Sequence, residues 1–198
     1  MGDIAIVGVA NHTGWAHFVT VAFADEEVVV IDRRRVQLLD ESLPNQPYAP
    51  QAGDLLRPDA QALVAEVRRS AGAYARTALA TLAAELEPAH VLAAVAMRGS
   101  TFGVLPADVS EVLDYRPFKY AADGMLYLEV LHEAAEALGF VVARHAKGHE
   151  FELAGARLGM DANDVEAWLK EFGVRLGPPW TQEHLRAAAA AIAMLPDV

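Results

Sequence analysis

Two stretches of this sequence place polar side chains directly after apolar runs. Asn11-His12-Thr13 follows Ile4 to Ala10, IAIVGVA, and Arg98-Gly99-Ser100-Thr101 follows Val91 to Met97, VLAAVAM. Each run is apolar on both alternating faces, which suits a strand buried on both sides. Parallel strands of an open sheet place ligands beyond their carboxyl ends. A cleft there would gather Asn11, His12, Thr13 and Arg98, with Ser100 and Thr101 behind them. The segment Thr181-Gln182-Glu183-His184 opens the last helical stretch and brings Glu183 and His184 near it. The candidate catalytic residues are therefore Asn11, His12 and Glu183. The candidate ligand contacts are Thr13, Arg98 and His184. His12, Arg98 and Glu183 together suit an anion or a weakly held metal, and a guanidinium takes phosphate or carboxylate in bidentate fashion. The plainer alternative is that Asn11 and Gly14 make a turn, Arg98 pairs with a surface acid, and Glu183 favours a helix dipole.

Other polar groups have simpler explanations. His145, His149 and Glu150 form an H-x3-H-E cluster. Histidines four apart bind zinc when they share a helix face, but His145 ends a strand and Lys147-Gly148 intervenes, so a solvated loop is expected. Asp161 and Asp164 read as a helix cap and a first-turn acid. Asp123 reads as a cap before Gly124. Arg33-Arg34-Arg35 alternates in direction on a strand and reads as edge protection. Trp15, Trp168 and Trp180 read as packing residues.

The elements that position these groups follow from periodicity. Three strands come first: Ile4 to Ala10, His17 to Phe23, and Val28 to Ile31. The turn signals Asn11-His12-Thr13-Gly14 and Asp25-Glu26 separate them, so an antiparallel meander is expected. Residues 37–57 contain Pro44, Pro47, Pro50 and Gly53 and read as an irregular surface connection, suited to contacts. Pro58-Asp59 opens a long helix whose apolar stripe reads Leu63, Val67, Ala71, Tyr74, Ala78 and Leu82. After the strand at 91–97 come a short helix behind Pro106, a helix ending at Leu138-Gly139, and a short strand at Phe140 to Ala143. Helical stretches near 149–158, 162–172 and 182–195 complete the chain. The first and fourth strands, being the most apolar, are expected to be central and adjacent.

Composition bounds the rest. The chain has 198 residues, 54% of them hydrophobic, enough for a single domain spanning 1–198 with a full core. It has no cysteine, which excludes disulfides and thiolate metal sites. Met1-Gly2-Asp3 runs into a strand-like segment without a basic or apolar leader, and no apolar run is long enough to span a bilayer. The expectation is a soluble, cytoplasmic protein without a membrane partner. A net charge of −11 disfavours nucleic acid as a partner without forbidding a local basic patch. A homo-oligomer is a possibility the sequence leaves open.

The order of three strands, helix, strand, helix, strand and helices resembles the ribonuclease H-like superfamily, which includes ribonuclease H, Holliday-junction resolvases and the actin and sugar-kinase domains. The segment Val7-Gly8-Val9-Ala10-Asn11-His12-Thr13-Gly14-Trp15-Ala16 resembles the first hairpin of resolvase-type members. The resemblance implies an α/β fold: a mixed sheet, with a three-stranded antiparallel meander plus two parallel strands, flanked by helices. It also implies nuclease-type processing of nucleic acid with magnesium or manganese held by several carboxylates. The chain departs from that pattern. Its first strand offers no acid within the sheet and ends in Asn11 and His12. Its fourth strand ends in Met97-Arg98, and only Glu183 remains as an acid near the last helix. The two-metal site reads as incomplete. The alternative is a non-catalytic anion-binding, ligand-binding or protein-assembly module on the same fold.

Overall fold

A computed structural model describes residues 2–24, 27–49 and 55–196. Strands β1 (Asp3–His12), β2 (Trp15–Ala24) and β3 (Glu27–Gln37) form an antiparallel meander. Helix α1 (Arg57–Leu86) leads to β4 (His90–Arg98). Helices α2 (Val109–Asp114) and α3 (Arg116–Ala137) lead to β5 (Val141–His145). Helices α4 (Glu150–Leu158), α5 (Ala162–Leu176) and α6 (Gln182–Ile192) follow. Among the described residues these strands form one sheet in the order β3-β2-β1-β4-β5. β4 runs parallel to β1 and beside it, and β5 runs parallel to β4. The arrangement is the mixed sheet expected from the sequence, with the two most apolar strands at its centre. No helix among the described residues is long and apolar enough to cross a membrane.

Alternation along the strands builds two cores. Val7, Val9, Phe18, Val95 and Met97 face α1 and α3, while Ile6, Val19, Val21, Ala94 and Ala96 face the layer containing α6. Helix α1 buries Ala60, Val64, Val67, Ala71, Ala75, Leu79, Leu82 and Leu86. This corrects the expected stripe: Leu63 and Ala78 are only partly buried, and Tyr74 is exposed. On an alanine-rich helix two apolar stripes compete, and the one with small residues at 60, 71 and 75 lets the helix approach the sheet most closely.

Helix α6 sits against β1 for a specific reason. A Cβ at Gly8 would stand 1.8 Å from the carbonyl oxygen of Ala187. Only glycine allows this approach, so Gly8 fixes where α6 crosses the sheet.

Several expected boundaries shift. Asn11 and His12 belong to β1, paired with Ala16 and Trp15, so the turn is only Thr13-Gly14, with Gly14 at φ 84°. Strand β3 continues through the three arginines to Gln37. Arg33 does more than guard an edge. Its guanidinium donates to the carbonyl oxygens of Gly177 at 2.7 Å and Leu176 at 3.0 Å, closing the end of α5. Arg34 pairs with Asp32 and Glu85. The segment after β3 is not merely a surface connection, because Leu38, Leu39 and Tyr48 are buried in the core. Pro50 and Gly53, and the turn expected at Asp25-Glu26, lie outside the described residues. Asp123 is not a helix cap either. Pro117 starts α3 earlier than expected, so Asp123 lies inside the helix, buried, and accepts from the backbone N–H groups of Tyr48 and Ala49, each at 2.9 Å. Asp161 does stand at the N-cap of α5, though its side chain makes no cap hydrogen bond.

Candidate functional site

The parallel register sets Val9 beside Met97 and Arg98 beside His145, so β1, β4 and β5 end together. Just past these ends lies a pocket of about 30 Å³, room for one or two water-sized groups. Asn11, Arg98, His145, Lys147, Glu150, Glu183 and Arg186 line it, above Val9 and Ala10. The strand ends supply Asn11, Arg98 and His145. The turn after β5 supplies Lys147, the first residue of α4 supplies Glu150, and the first turns of α6 supply Glu183 and Arg186. The contact between Gly8 and Ala187 brings α6 down at this point.

The two carboxylates each face a histidine. Glu183 Oε2 lies 3.6 Å from His12 Nε2, and Glu150 Oε1 lies 3.8 Å from His145 Nδ1. His145 Nδ1 also lies 3.1 Å from the carbonyl oxygen of Ala146. Arg98 and Lys147 have no ion-pair partner among the described residues. Arg186 lies near enough to Glu166 to help hold that carboxyl below its ordinary range, after the hydrogen bond from Lys170. Asn11 Oδ1 and Glu150 Oε2 are buried acceptors without a hydrogen-bond partner among the described residues. The pocket therefore combines three cations, two acids and two unpartnered oxygens.

Of the residues chosen from the sequence, Asn11, Arg98 and Glu183 meet here, and His12 stands behind Glu183. Two others do not. Thr13 lies at the hairpin turn and lines a separate depression with Arg35, Asp40 and Asn45. His184 is 2% exposed and is turned away from the pocket. A step of one helical residue rotates the side chain by roughly 100° from Glu183, and its ring packs against those of His17, 4.1 Å away, and Trp180, 5.8 Å away. His184 Nδ1 accepts from the backbone N–H of Thr181 at 3.2 Å, completing a capping box. Burial first, then the neighbouring His17 and Arg33, push His184 down to about 4. Burial and the nearby His12 likewise lower His17. Trp15 lies between two groups, stacked on His12 at 3.9 Å and with the Arg35 guanidinium 4.5 Å from its centre.

Sequence reasoning missed His145, Lys147, Glu150 and Arg186. The loop expected at His145 to Glu150 proves to be a pocket wall, with both of those side chains largely buried, while His149 is exposed and pairs with Glu152. The strand-end rule that picked Arg98 applies equally to His145 once β5 is placed beside β4. Arg186 follows Glu183 by three residues, on the same helix face.

A pair of divalent ions requires several carboxylates. Here Arg98, Lys147 and Arg186 outnumber Glu150 and Glu183, and the orphaned Asn11 oxygen is neutral. Among the described residues no group of three or more histidine, aspartate or glutamate side chains is placed to hold a metal. The residues present do not fit a two-metal centre.

No protein-family model matches the chain, and no curated protein matches it by sequence. In structure it is similar to Thermus thermophilus RuvC in complex with a Holliday junction substrate, with a TM-score of 0.55 at 10% identity over 96% of this chain and 91% of that one. It is similar also to a second Thermus thermophilus RuvC structure, with a TM-score of 0.53 at 11% identity over 96% and 92% of the two chains. The fold is ribonuclease H-like. At this identity the likeness is one of architecture, and the chemistry of the site rests on its own residues.

Proposed function

We propose that this chain binds phosphate groups of nucleic acid at the shared ends of β1, β4 and β5, and that it does not cut them by two-metal chemistry. One observation carries the reading: Arg98 and Lys147, both without an ion-pair partner among the described residues, stand with Arg186 where the strand ends converge. Guanidinium and ammonium groups at such a place favour an anion. The adjoining surface supports a nucleotide over a small free anion. Arg98 and Lys147 also line a second, open cavity of about 420 Å³, whose walls include Ser100, Phe102, Tyr120 and Leu128. Phe102 and Tyr120 are exposed, and exposed aromatic rings beside cations suit unpaired bases. The overall charge of −11 repels a polyanion at long range. Binding is thus expected to be local and salt-sensitive, not a general affinity for duplex.

The deciding assay presents four-way-junction, single-stranded and duplex DNA to the chain, with magnesium, with manganese and with chelator. Binding that persists in chelator is expected, with no cleavage above background. Metal-dependent cleavage that Asn11→Ala and Glu183→Ala both abolish would instead establish an active nuclease with an unusual metal shell.

A further inference from the structure

The N-terminus of α6 is closed in an unusual way. A capping box ordinarily has glutamate or glutamine three residues after the cap, reaching back to the cap's own N–H. Here that place belongs to His184, whose Nδ1 faces both the backbone N–H of Thr181, at 3.2 Å, and the Thr181 hydroxyl, at 2.8 Å. The backbone contact requires Nδ1 to be unprotonated. The Thr181 hydroxyl can rotate to accept from a protonated ring, but the backbone N–H cannot. The ring has little room to move, because it is buried between His17 and Trp180.

We propose that His184 is a proton-sensitive latch: protonating its ring opens the cap and releases the first turns of α6, which carry Glu183 and Arg186 into the pocket. The charged neighbours favour this direction. His17 from β2 and Arg33 from β3 oppose a positive charge on His184, and only Glu183, on its own helix, favours one. Arg33 is itself anchored on the carbonyl oxygens of Leu176 and Gly177. His12 and Arg35 stand behind His17 and oppose its protonation as well. A released turn would expose His184 to water and return it to its ordinary value near 6.5, against about 4 when latched. The latch is therefore fully favoured above about 6.5, and its advantage is lost as pH falls toward about 4. It stands on the helix cap itself and does not depend on what the pocket binds.

The test uses the full chain and amide-exchange protection factors, residue by residue, between pH 7 and 4.5. Protection at Thr181 and at Leu185 to Ala187 is expected to fall at least tenfold in acid, while the amides of β1 and β4 keep theirs. His184→Gln restores an ordinary capping box that does not titrate, and it should keep that protection throughout. An equal acid loss in His184→Gln, or no loss in the parent, would overturn the latch. Should the variant not fold, an imidazole NMR titration of the parent decides. Loss of protection in step with protonation of His184 supports the proposal, and loss at a different pH refutes it.

Discussion

At the scale of single residues, the most informative polar groups are the buried ones. Asp123 lies in the middle of α3, yet its two oxygens serve the backbone of Tyr48 and Ala49. Beside it, the Tyr127 hydroxyl donates to the Asn45 carbonyl at 2.9 Å. Together they fasten the segment after β3 to the helix layer. Asp123→Ala would leave two buried N–H groups without an acceptor, and a cost of about 2–3 kcal/mol is expected in denaturant melts at neutral pH. Burial holds the Asp123 carboxyl up to about 6, against an ordinary 3.8. A raised acid binds its proton more tightly in the folded chain, so its contribution is largest in acid and declines as pH rises from about 4 through about 6. The parent's margin over Asp123→Ala should shrink across that window. A margin that grew there would show that the carboxyl is not raised. Nothing local to Asp123 signals this clasp, because an aspartate before a glycine has the same pattern as a helix cap, and its partners are about 75 residues away.

At the scale of elements, the site depends on where α6 crosses the sheet. Gly8→Ala places a methyl group against the Ala187 carbonyl, so either α6 or β1 must move. Overpacking of this kind costs roughly 1–3 kcal/mol or more, and the variant should also weaken ligand binding, since Glu183 and Arg186 ride on α6. A Gly8→Ala variant with unchanged melting and unchanged binding would show that the contact is not tight. The strands were readable from the sequence because IAIVGVA and VLAAVAM have no polar face to give to water, which forces them into the centre. That reading put Asn11 and Arg98 at neighbouring strand ends, and both line the pocket there. It failed for His145 and Glu150, whose nearness to Arg98 comes from the β4–β5 register, a pairing that the short, partly exposed β5 does not announce by its own pattern. It failed differently for His184, where adjacency to Glu183 in sequence was read as adjacency in space, and the helical rotation between neighbours sends the two side chains to different surroundings.

At the scale of the whole molecule, a chain with a net charge of −11 concentrates Arg98, Lys147 and Arg186 around one strand-end pocket. Phosphate binding by these cations is read out by the salt dependence of binding to a four-way DNA junction in chelator, compared between the parent and Arg98→Ala/Arg186→Ala. Each phosphate contact contributes a slope of about −0.9 in log affinity against log salt. Phosphate binding at this pocket predicts weaker binding by the double variant, with the slope made shallower by about two contacts and the fold unchanged by melting. Equal affinity and an equal slope in parent and variant would contradict it.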